Sequence, residues 1–398
     1  MTIEGISAFS GEALKIAVEG SKIIEVERTG AGRQLPFVSP GFFDLQVNGY
    51  RGLDYSAPDL DAGAVTGIIE ALAASGTTQH LPTIITNPKE RIVRNLRVIA
   101  ALRRQSSDAA AAMPGMHIEG PFISAEEGPR GAHSVRFVRS PDLDEFEAWQ
   151  EAADGAIRIV TLAPELPGAL AFIEQIAKRG VVAAIGHTAA SPEQIRDAVS
   201  AGATLSTHLG NGSHAMLPRL KNYLWEQLAA DGLAASLISD GFHLPPAVIK
   251  AFSRAKGLDR IVLVSDVAVH GGRAPGQYTW GELPVEVHAD GHLGIPGTEF
   301  LAGAGHLLDW DLAKFIEATG CELGDAVRLC TTSPARLLGM TGADFPTAGA
   351  EANIVLFDFV RGSERLRVRR AVRAGGEVPI APAAQASETL LSRKDPQQ

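Results

Sequence analysis

The sequence predicts an α/β fold: a (β/α)8 TIM-type barrel with a small β-sandwich domain formed by both termini. Three observations predict it. Short apolar runs of β character alternate with segments of helical character through the middle of the chain, which implies a parallel sheet. Eight such units over roughly 300 residues fit a closed barrel better than an open doubly wound sheet. Further β-like pieces stand at both ends of the chain, outside that alternation.

The pieces KIAVEG and KIIEVER, within residues 1–37, and ANIVLFDF (352–359) and LRVRRAVRAGGEV (366–378), within 346–380, are assigned to the small β domain. Residues 38–345 form the barrel, and 381–398 a loosely ordered tail. The barrel runs are FVSPGFFDLQV, GTTQHLPTI, MPGMHIEG, AIRIVTLAP, VVAAIGH, ATLSTH, LAASLISD and RIVLVSD. Helices are expected at 61–75, 88–105, 141–153, 168–179, 191–201, 222–230 and 246–255, and a last one at 303–318. Glycines and prolines in 270–300 interrupt the alternation and suggest hairpins or a lid.

Composition bounds the function. Of the 398 residues 45% are hydrophobic and 21% charged, enough for one large buried core plus a small one. The net charge is −10 and no Lys/Arg cluster makes a basic face, so a nucleic-acid partner is not expected. The two cysteines, Cys321 and Cys330, lie nine residues apart on an expected helix, unsuited to a disulfide framework or a four-thiolate zinc site. They suit a reducing compartment. The N-terminus lacks a basic region followed by an apolar core, and no apolar run reaches the roughly 20 residues of a spanning helix. The expected setting is the cytoplasm, with no membrane partner.

Polar residues of the kinds chemistry uses fall where the apolar runs end: Gln46 and Asn48, His80, His117 and Glu119, His187, His208, Asp240 and His243, and Asp266. In a barrel these ends gather at the C-terminal face, where active sites sit. Glu119, His187 and His208 offer one carboxylate and two imidazoles, a set that binds a divalent metal and leaves a place for water. The metal lowers that water's pKa, and Asp266 is placed to take its proton. His117 and His80 read as scaffold histidines. His270, His288, His292 and His306 lie in or beside the insertion and read as solvated.

At this point the motifs resemble those of the N-acetylglucosamine-6-phosphate deacetylases of the amidohydrolase superfamily. The matching pieces are PGFFDLQVNG (40–49), GTTQHLPTIIT (76–86), HIEGPFIS (117–124), GAH (131–133), TLAPE (161–165), IGHTAAS (185–191), THL-x-N (207–211), ISDGFH (238–243), LVSD (263–266), LAG (301–303), TSPARLLG (332–339) and ANIVLFD (352–358). They run in family order along nearly the whole chain. The resemblance implies metal at Glu119, His187 and His208, and Asp266 as proton acceptor and donor. It places substrate contacts at Ala132 and His133, at Asn211, Gly212 and Arg219, at Asp240, Gly241, Phe242 and His243, and at Leu301, Ala302 and Gly303. His133 would stabilise the developing oxyanion. His243, Asn211 and Arg219 would surround a phosphate. The family is usually a homodimer in which that arginine serves the partner's site.

Many amidohydrolases carry His-x-His at the first strand end and hold a second metal there. Gln46 and Asn48 occupy those positions, so one tightly bound ion is expected. The nitrogen-rich ligand set favours Zn2+, with Fe2+, Co2+ or Mn2+ as alternatives. Three departures from the family pattern surround the substrate rather than the metal. After THL the family has an aromatic residue and Asn-Ala-Met, whereas this chain reads Gly210-Asn211-Gly212-Ser213-His214-Ala215-Met216. The stretch aligns either with Asn211 in the family Asn position or as an insertion with His214-Ala215-Met216 filling it; the first is preferred, because it keeps Arg219 eleven residues past His208 as the pattern expects, and it leaves His214 without a family role. LKNYLWEQL replaces a segment of small residues, so Tyr223 and Trp225 belong to a dimer core or reshape the sugar pocket. LAGAGHLLD loses two hydroxyls of the family segment. The leading expectation is removal of the acetyl group from N-acetylglucosamine 6-phosphate. The alternatives are an amidohydrolase for another N-acyl amino sugar (unphosphorylated or galacto) or a cyclic amide, and a metal-free structural dimer.

Overall fold

The computed structural model describes residues 1–30, 35–340 and 345–380, so the expected tail at 381–398 lies outside the described residues. Strands β1 (Thr2–Ser7), β2 (Ala13–Glu19), β3 (Lys22–Thr29) and β4 (Phe37–Pro40) open the chain. The barrel begins at β5 (Phe42–Val47) and passes a two-residue pair, β6 (Gly49–Tyr50) and β7 (Leu53–Asp54). It continues through β8 (Thr77–Ile85), β9 (Met116–Glu119), β10 (Ile157–Leu162), β11 (Val182–Ile185), β12 (Ala203–Ser206), β13 (Ala234–Leu237) and β14 (Ile261–Leu263). An insertion adds β15 (Gly276–Trp280), β16 (Leu283–Val287) and β17 (Leu293–Gly294), and β18 (Ile354–Asp358), β19 (Arg367–Arg373) and β20 (Gly376–Val378) close the described chain.

Strands β5 and β8 to β14 lie side by side in chain order, all parallel. Both faces of such strands are covered, which is why they read as apolar runs rather than as alternation. Phe43, Leu45, Leu81, Ile159, Ala184, Leu205, Ile238, Val262 and Val264 fill the interior. The ring closes just beyond β14. Val267 bridges Val47 in parallel register, the Asp266 N–H donates to the Gln46 carbonyl (3.0 Å), and the Asn48 N–H donates to the Val267 carbonyl (3.0 Å). Polar residues of the first and last runs therefore meet at the seam.

The first run divides. FVSP pairs with β1 and β18, while FFDLQV pairs with β8. Gly41 makes the step between them, and a Cβ there would fall 2.0 Å from Thr78 Oγ1. Both termini contribute to one seven-stranded sheet of order β20-β19-β18-β4-β1-β2-β3. Strand alternation splits its faces: Ile354 and Leu356 pack with Ile3, Ile16 and Val38, while Val355 and Phe357 pack with Phe42 of the barrel.

Helices fall close to the expected spans, with starts fixed by Asp61, Asp142, Ser191 and Asn222, whose side chains accept backbone N–H groups. Three expectations need correction. The helix expected at 303–318 is Leu308–Thr319 and begins late, because Gly303 has φ 84 and a Cβ on Gly305 would sit 1.9 Å from the Gly291 carbonyl; two further helices, Leu323–Leu329 and Thr332–Leu337, follow it. The cysteines share no helix: Cys321 lies between Leu308–Thr319 and Leu323–Leu329, and Cys330 caps the latter. Both are free thiols. Finally, β8 continues to Ile85, so His80 sits inside a strand rather than at its end. The insertion is a three-stranded antiparallel sheet, β15-β16-β17. Among the described residues, no helix is long and apolar enough to cross a membrane.

Candidate active site

Glu119 is the last residue of β9. His187 and His208 stand two residues beyond β11 and β12, and Asp266 three beyond β14. These last three have φ of 52°, 29° and 50°. The left-handed region costs a side-chain-bearing residue about 1–3 kcal/mol, and the surrounding fold must hold it there. Three strand exits are thus bent at residues that carry polar side chains into one place.

There the ligand atoms converge. Glu119 Oε1 lies 3.1 Å from His187 Nε2 and 3.0 Å from His208 Nε2, and the two imidazole nitrogens are 3.1 Å apart. His187 Nδ1 faces the Pro129 carbonyl at 2.8 Å. A carbonyl only accepts, so in the neutral ring the proton sits on Nδ1, and Nε2 turns a lone pair toward a carboxylate oxygen. Two acceptors that close need a positive charge between them, either a metal ion or the proton that makes the ring an imidazolium. Tetrahedral zinc ligands at about 2.0–2.1 Å from their ion sit roughly 3.3 Å from one another, close to this spacing. The donor set therefore fits a divalent ion.

Amides support both carboxylates. Gln46 Nε2 donates to Glu119 Oε1 (2.8 Å), and Asn48 Nδ2 donates to Asp266 Oδ1 (2.7 Å). Burial works to raise the Glu119 pKa, but hydrogen bonds and charge from His187 and His208 outweigh it and hold the carboxyl well below its usual range. Burial, with the Glu119 charge nearby, raises Asp266 to about 6. The two carboxyls thus differ as a ligand and a proton carrier must.

His133 is buried beside them. Its ring centroid is 4.4 Å from that of His187, its Nδ1 lies 2.8 Å from Thr86 Oγ1, and burial pushes it down to about 3, so it is neutral. Ligand atoms of Glu119, His133 and His187 fall within 4.8 Å of one another, a looser grouping than the one His208 completes. Ala132, next to it, is exposed. Asn211 Nδ2 is buried and unpartnered among the described residues, as a group awaiting a ligand would be. Gly212, with φ 55, packs so tightly that a Cβ would stand 2.7 Å from His187 Nδ1.

Asp240 and His243 are paired. Asp240 Oδ2 meets His243 Nδ1 at 2.8 Å, and Oδ1 accepts the Phe242 and His243 N–H groups, each at 2.8 Å. Gly241 at this turn is exposed. The Phe242 ring lies between His292 and His306 (4.8 and 5.6 Å), and His306 stacks on Trp310 at 4.1 Å. His270 stacks on Tyr278 at 5.1 Å. The insertion histidines are thus packed against rings rather than freely solvated. Leu301, Ala302 and Gly303 run along β17: Leu301 bridges Gly294, and the Ala302 N–H donates to Leu293 O at 3.0 Å. Arg219 is exposed and makes no ion pair among the described residues. Among the described residues, neither its side chain nor the 301–303 segment has a hydrogen bond or ion pair to Glu119, His187 or His208.

His80 and His117 are fixed within the barrel. His80 Nε2 meets Tyr55 Oη at 2.7 Å, and His117 bridges Leu45 O and Thr161 Oγ1. Burial lowers the two to about 3 and about 4. Sequence reasoning missed Glu165, whose Oε1 and Oε2 accept the Ala189 N–H and Thr188 hydroxyl just past His187, both at 2.6 Å. A carboxylate closing the fourth run, TLAPE, was the available signal. It also missed Thr86 and the Pro129 carbonyl, and a backbone carbonyl leaves no mark in sequence.

The sequence pattern of the amidohydrolase family matches residues 37–378. The chain is 34% identical over 364 residues to an N-acetylglucosamine-6-phosphate deacetylase of Homo sapiens, covering 86% of this chain and 84% of that one. It is 29% identical over 329 residues to an N-acetylgalactosamine-6-phosphate deacetylase of Escherichia coli O157:H7, covering 82% and 85%. Among solved structures, it superposes with TM-score 0.83 and 29% identity on an N-acetyl-D-glucosamine-6-phosphate deacetylase of Mycobacterium smegmatis in complex with N-acetyl-D-glucosamine-6-phosphate. That match covers 94% of this chain and 97% of the other.

Proposed function

The chain belongs to the amidohydrolase family, within it to the N-acetylglucosamine-6-phosphate deacetylases, and on that premise we propose that it hydrolyses the acetamide of N-acetylglucosamine 6-phosphate to acetate and glucosamine 6-phosphate. The observation that carries the reading is the meeting of Glu119, His187 and His208 at 3.0–3.1 Å beside a buried Asp266 of raised pKa.

Glu119, His187 and His208 would hold one divalent ion, with Zn2+ favoured by two nitrogens and one oxygen. A bound divalent ion supplies Lewis acidity, which brings the pKa of a neighbouring water toward neutrality. Asp266, held by Asn48, takes the proton of the attacking water. Neutral His133, fixed by Thr86, donates to the acetamide oxygen as negative charge gathers on it. Asp266 then returns its proton to the leaving nitrogen, and the C–N bond breaks. Asn211 and His243 are the substrate-side groups.

The homodimer is part of this proposal. Met216 is 89% and Leu220 77% exposed, exposed Trp225 donates its Nε1–H to the Arg219 carbonyl, and Arg219 makes no ion pair among the described residues. That apolar margin supports a second copy seated there, with Arg219 reading the phosphate of the partner's substrate. Free Cys321 and Cys330 support a reducing, cytoplasmic setting.

A galacto substrate is the second reading, favoured by the likeness to the Escherichia coli enzyme. Acetate release from N-acetylglucosamine 6-phosphate, its galacto epimer and both unphosphorylated sugars separates the two. The proposal expects the first to be preferred roughly tenfold or more in kcat/KM, a difference of about 1.4 kcal/mol. Preference for the epimer would install the second reading, and no turnover of any of the four would overturn both.

A further inference from the structure

We propose that His214 is a positioning residue for the metal ligand His187. It straps the loop after β9 to the loop after β12, and both loops press on the Nδ1 edge of the His187 ring. The inference rests on the metal reading above.

His214 is tied on three sides. Its Nε2 meets Glu126 Oε2 at 3.0 Å, its Nδ1 meets Tyr223 Oη at 3.0 Å, and its backbone N–H donates to the same hydroxyl at 2.9 Å. The Tyr223 hydroxyl can accept the N–H while donating to Nδ1, which leaves the Nε2 proton for Glu126. Tyr223 is itself buried at the start of the helix Tyr223–Ala229, whose cap Asn222 accepts the Leu224 and Trp225 N–H groups. The strap thus runs from a fixed helix start, through an imidazole, to a carboxylate on the opposing loop.

The two loops it joins touch almost backbone to backbone. A Cβ on Gly128 would lie 3.0 Å from both His214 Cα and the Ser213 carbonyl. The residue after Gly128 supplies the carbonyl that accepts the His187 Nδ1–H. From the other loop, Gly212 packs against the same nitrogen. Loosening the strap would let Pro129 and Gly212 drift from the ring and blur the direction of Nε2. Partners of a ligand histidine set its tautomer and orientation, and removing them typically weakens metal binding about 10- to 100-fold. His214 acts one contact further out, so an effect near the lower bound is expected.

The test measures zinc affinity by competition with a chromophoric chelator, and the visible spectrum of the cobalt-substituted protein, in wild type, His214→Ala, His214→Gln, Glu126→Ala and the His214→Ala/Glu126→Ala pair. We expect His214→Ala to weaken zinc binding about tenfold and to shift the cobalt bands. His214→Gln should restore most of both, because an amide can bridge a hydroxyl and a carboxylate. The double variant should be no worse than His214→Ala alone, since both changes cut one connection. Wild-type affinity and an unshifted spectrum in folded His214→Ala or Glu126→Ala would overturn the proposal while leaving the metal reading intact. A wild-type protein that binds neither ion would overturn both. If His214→Ala fails to fold, Glu126→Ala, at an exposed position, carries the same readouts.

Discussion

Asp266 is asked to carry a proton between a water and an amine nitrogen, and its surroundings suit the task. Burial raises its pKa to about 6, and Asn48 fixes one oxygen. Asp266→Asn keeps the size and the hydrogen bond but cannot accept the proton. It should retain bound metal and lose turnover by roughly 10²–10⁴-fold. Metal content and kcat measured on one preparation decide the matter; a variant that lost its metal would make Asp266 a ligand instead. At this scale much of the site was legible. Glu119, His187, His208 and Asp266 stood at the ends of apolar runs, and topology alone brought them together. The left-handed backbones of the last three were not legible, because a positive φ is written in sequence only when glycine supplies it. Nor was the environment of Asn211, whose unpartnered amide exists only once the loop is folded.

At the scale of elements, the seam between the first and last barrel strands bears the most. Asp44 is buried in β5 and accepts the Gln46 N–H at 3.2 Å and the Ser265 N–H at 3.2 and 3.3 Å, joining the two ends of the ring. Burial raises its pKa to about 7. The folded chain therefore holds a proton that the unfolded chain releases near pH 4, and this group's contribution to stability falls as pH rises from about 4 to about 7. Asp44→Asn should flatten that dependence, by on the order of 1 kcal/mol per pH unit within the window. Urea unfolding at intervals between those limits measures it, and an unchanged slope would show that Asp44 is ionised in the fold throughout. Element types were largely readable because parallel barrel strands are apolar on both faces. The misplaced features have local causes. His80 looked terminal because β8 is long and polar-studded, and the helix Leu308–Thr319 starts late because Gly303 packs against the Ala268 methyl and Gly305 against the Gly291 carbonyl.

For the whole molecule, the question is whether one chain makes a complete site. Arg219 makes no ion pair among the described residues, and Met216, Leu220 and Trp225, close to it in the chain, are exposed. Arg219→Ala should raise KM for the phosphorylated sugar far more than for the unphosphorylated one, and equal effects would mean that it does not read phosphate. If the arginine serves a partner, two impaired homodimers should complement each other when the phosphorylated sugar is far below the KM of Arg219→Ala. After subunit exchange, Arg219→Ala mixed equally with Asp266→Asn should recover about a quarter of wild-type activity, because half the dimers are hybrids with one intact site each. No recovery despite exchange would place Arg219 in its own chain's site. The sequence exposed this question through the spacing from His208 to Arg219, but assembly is a property of surfaces, and a single chain's hydrophobic pattern does not say which of them meet.

The central claim is that a divalent ion at Glu119, His187 and His208 drives amide hydrolysis. Its most direct test is acetate release from N-acetylglucosamine 6-phosphate, followed as the protein is stripped with a chelator and then titrated with zinc. Activity should vanish on stripping and return in proportion to added ion, reaching its plateau at one equivalent per chain. Full activity in the stripped protein, or none at full zinc occupancy, would contradict the account.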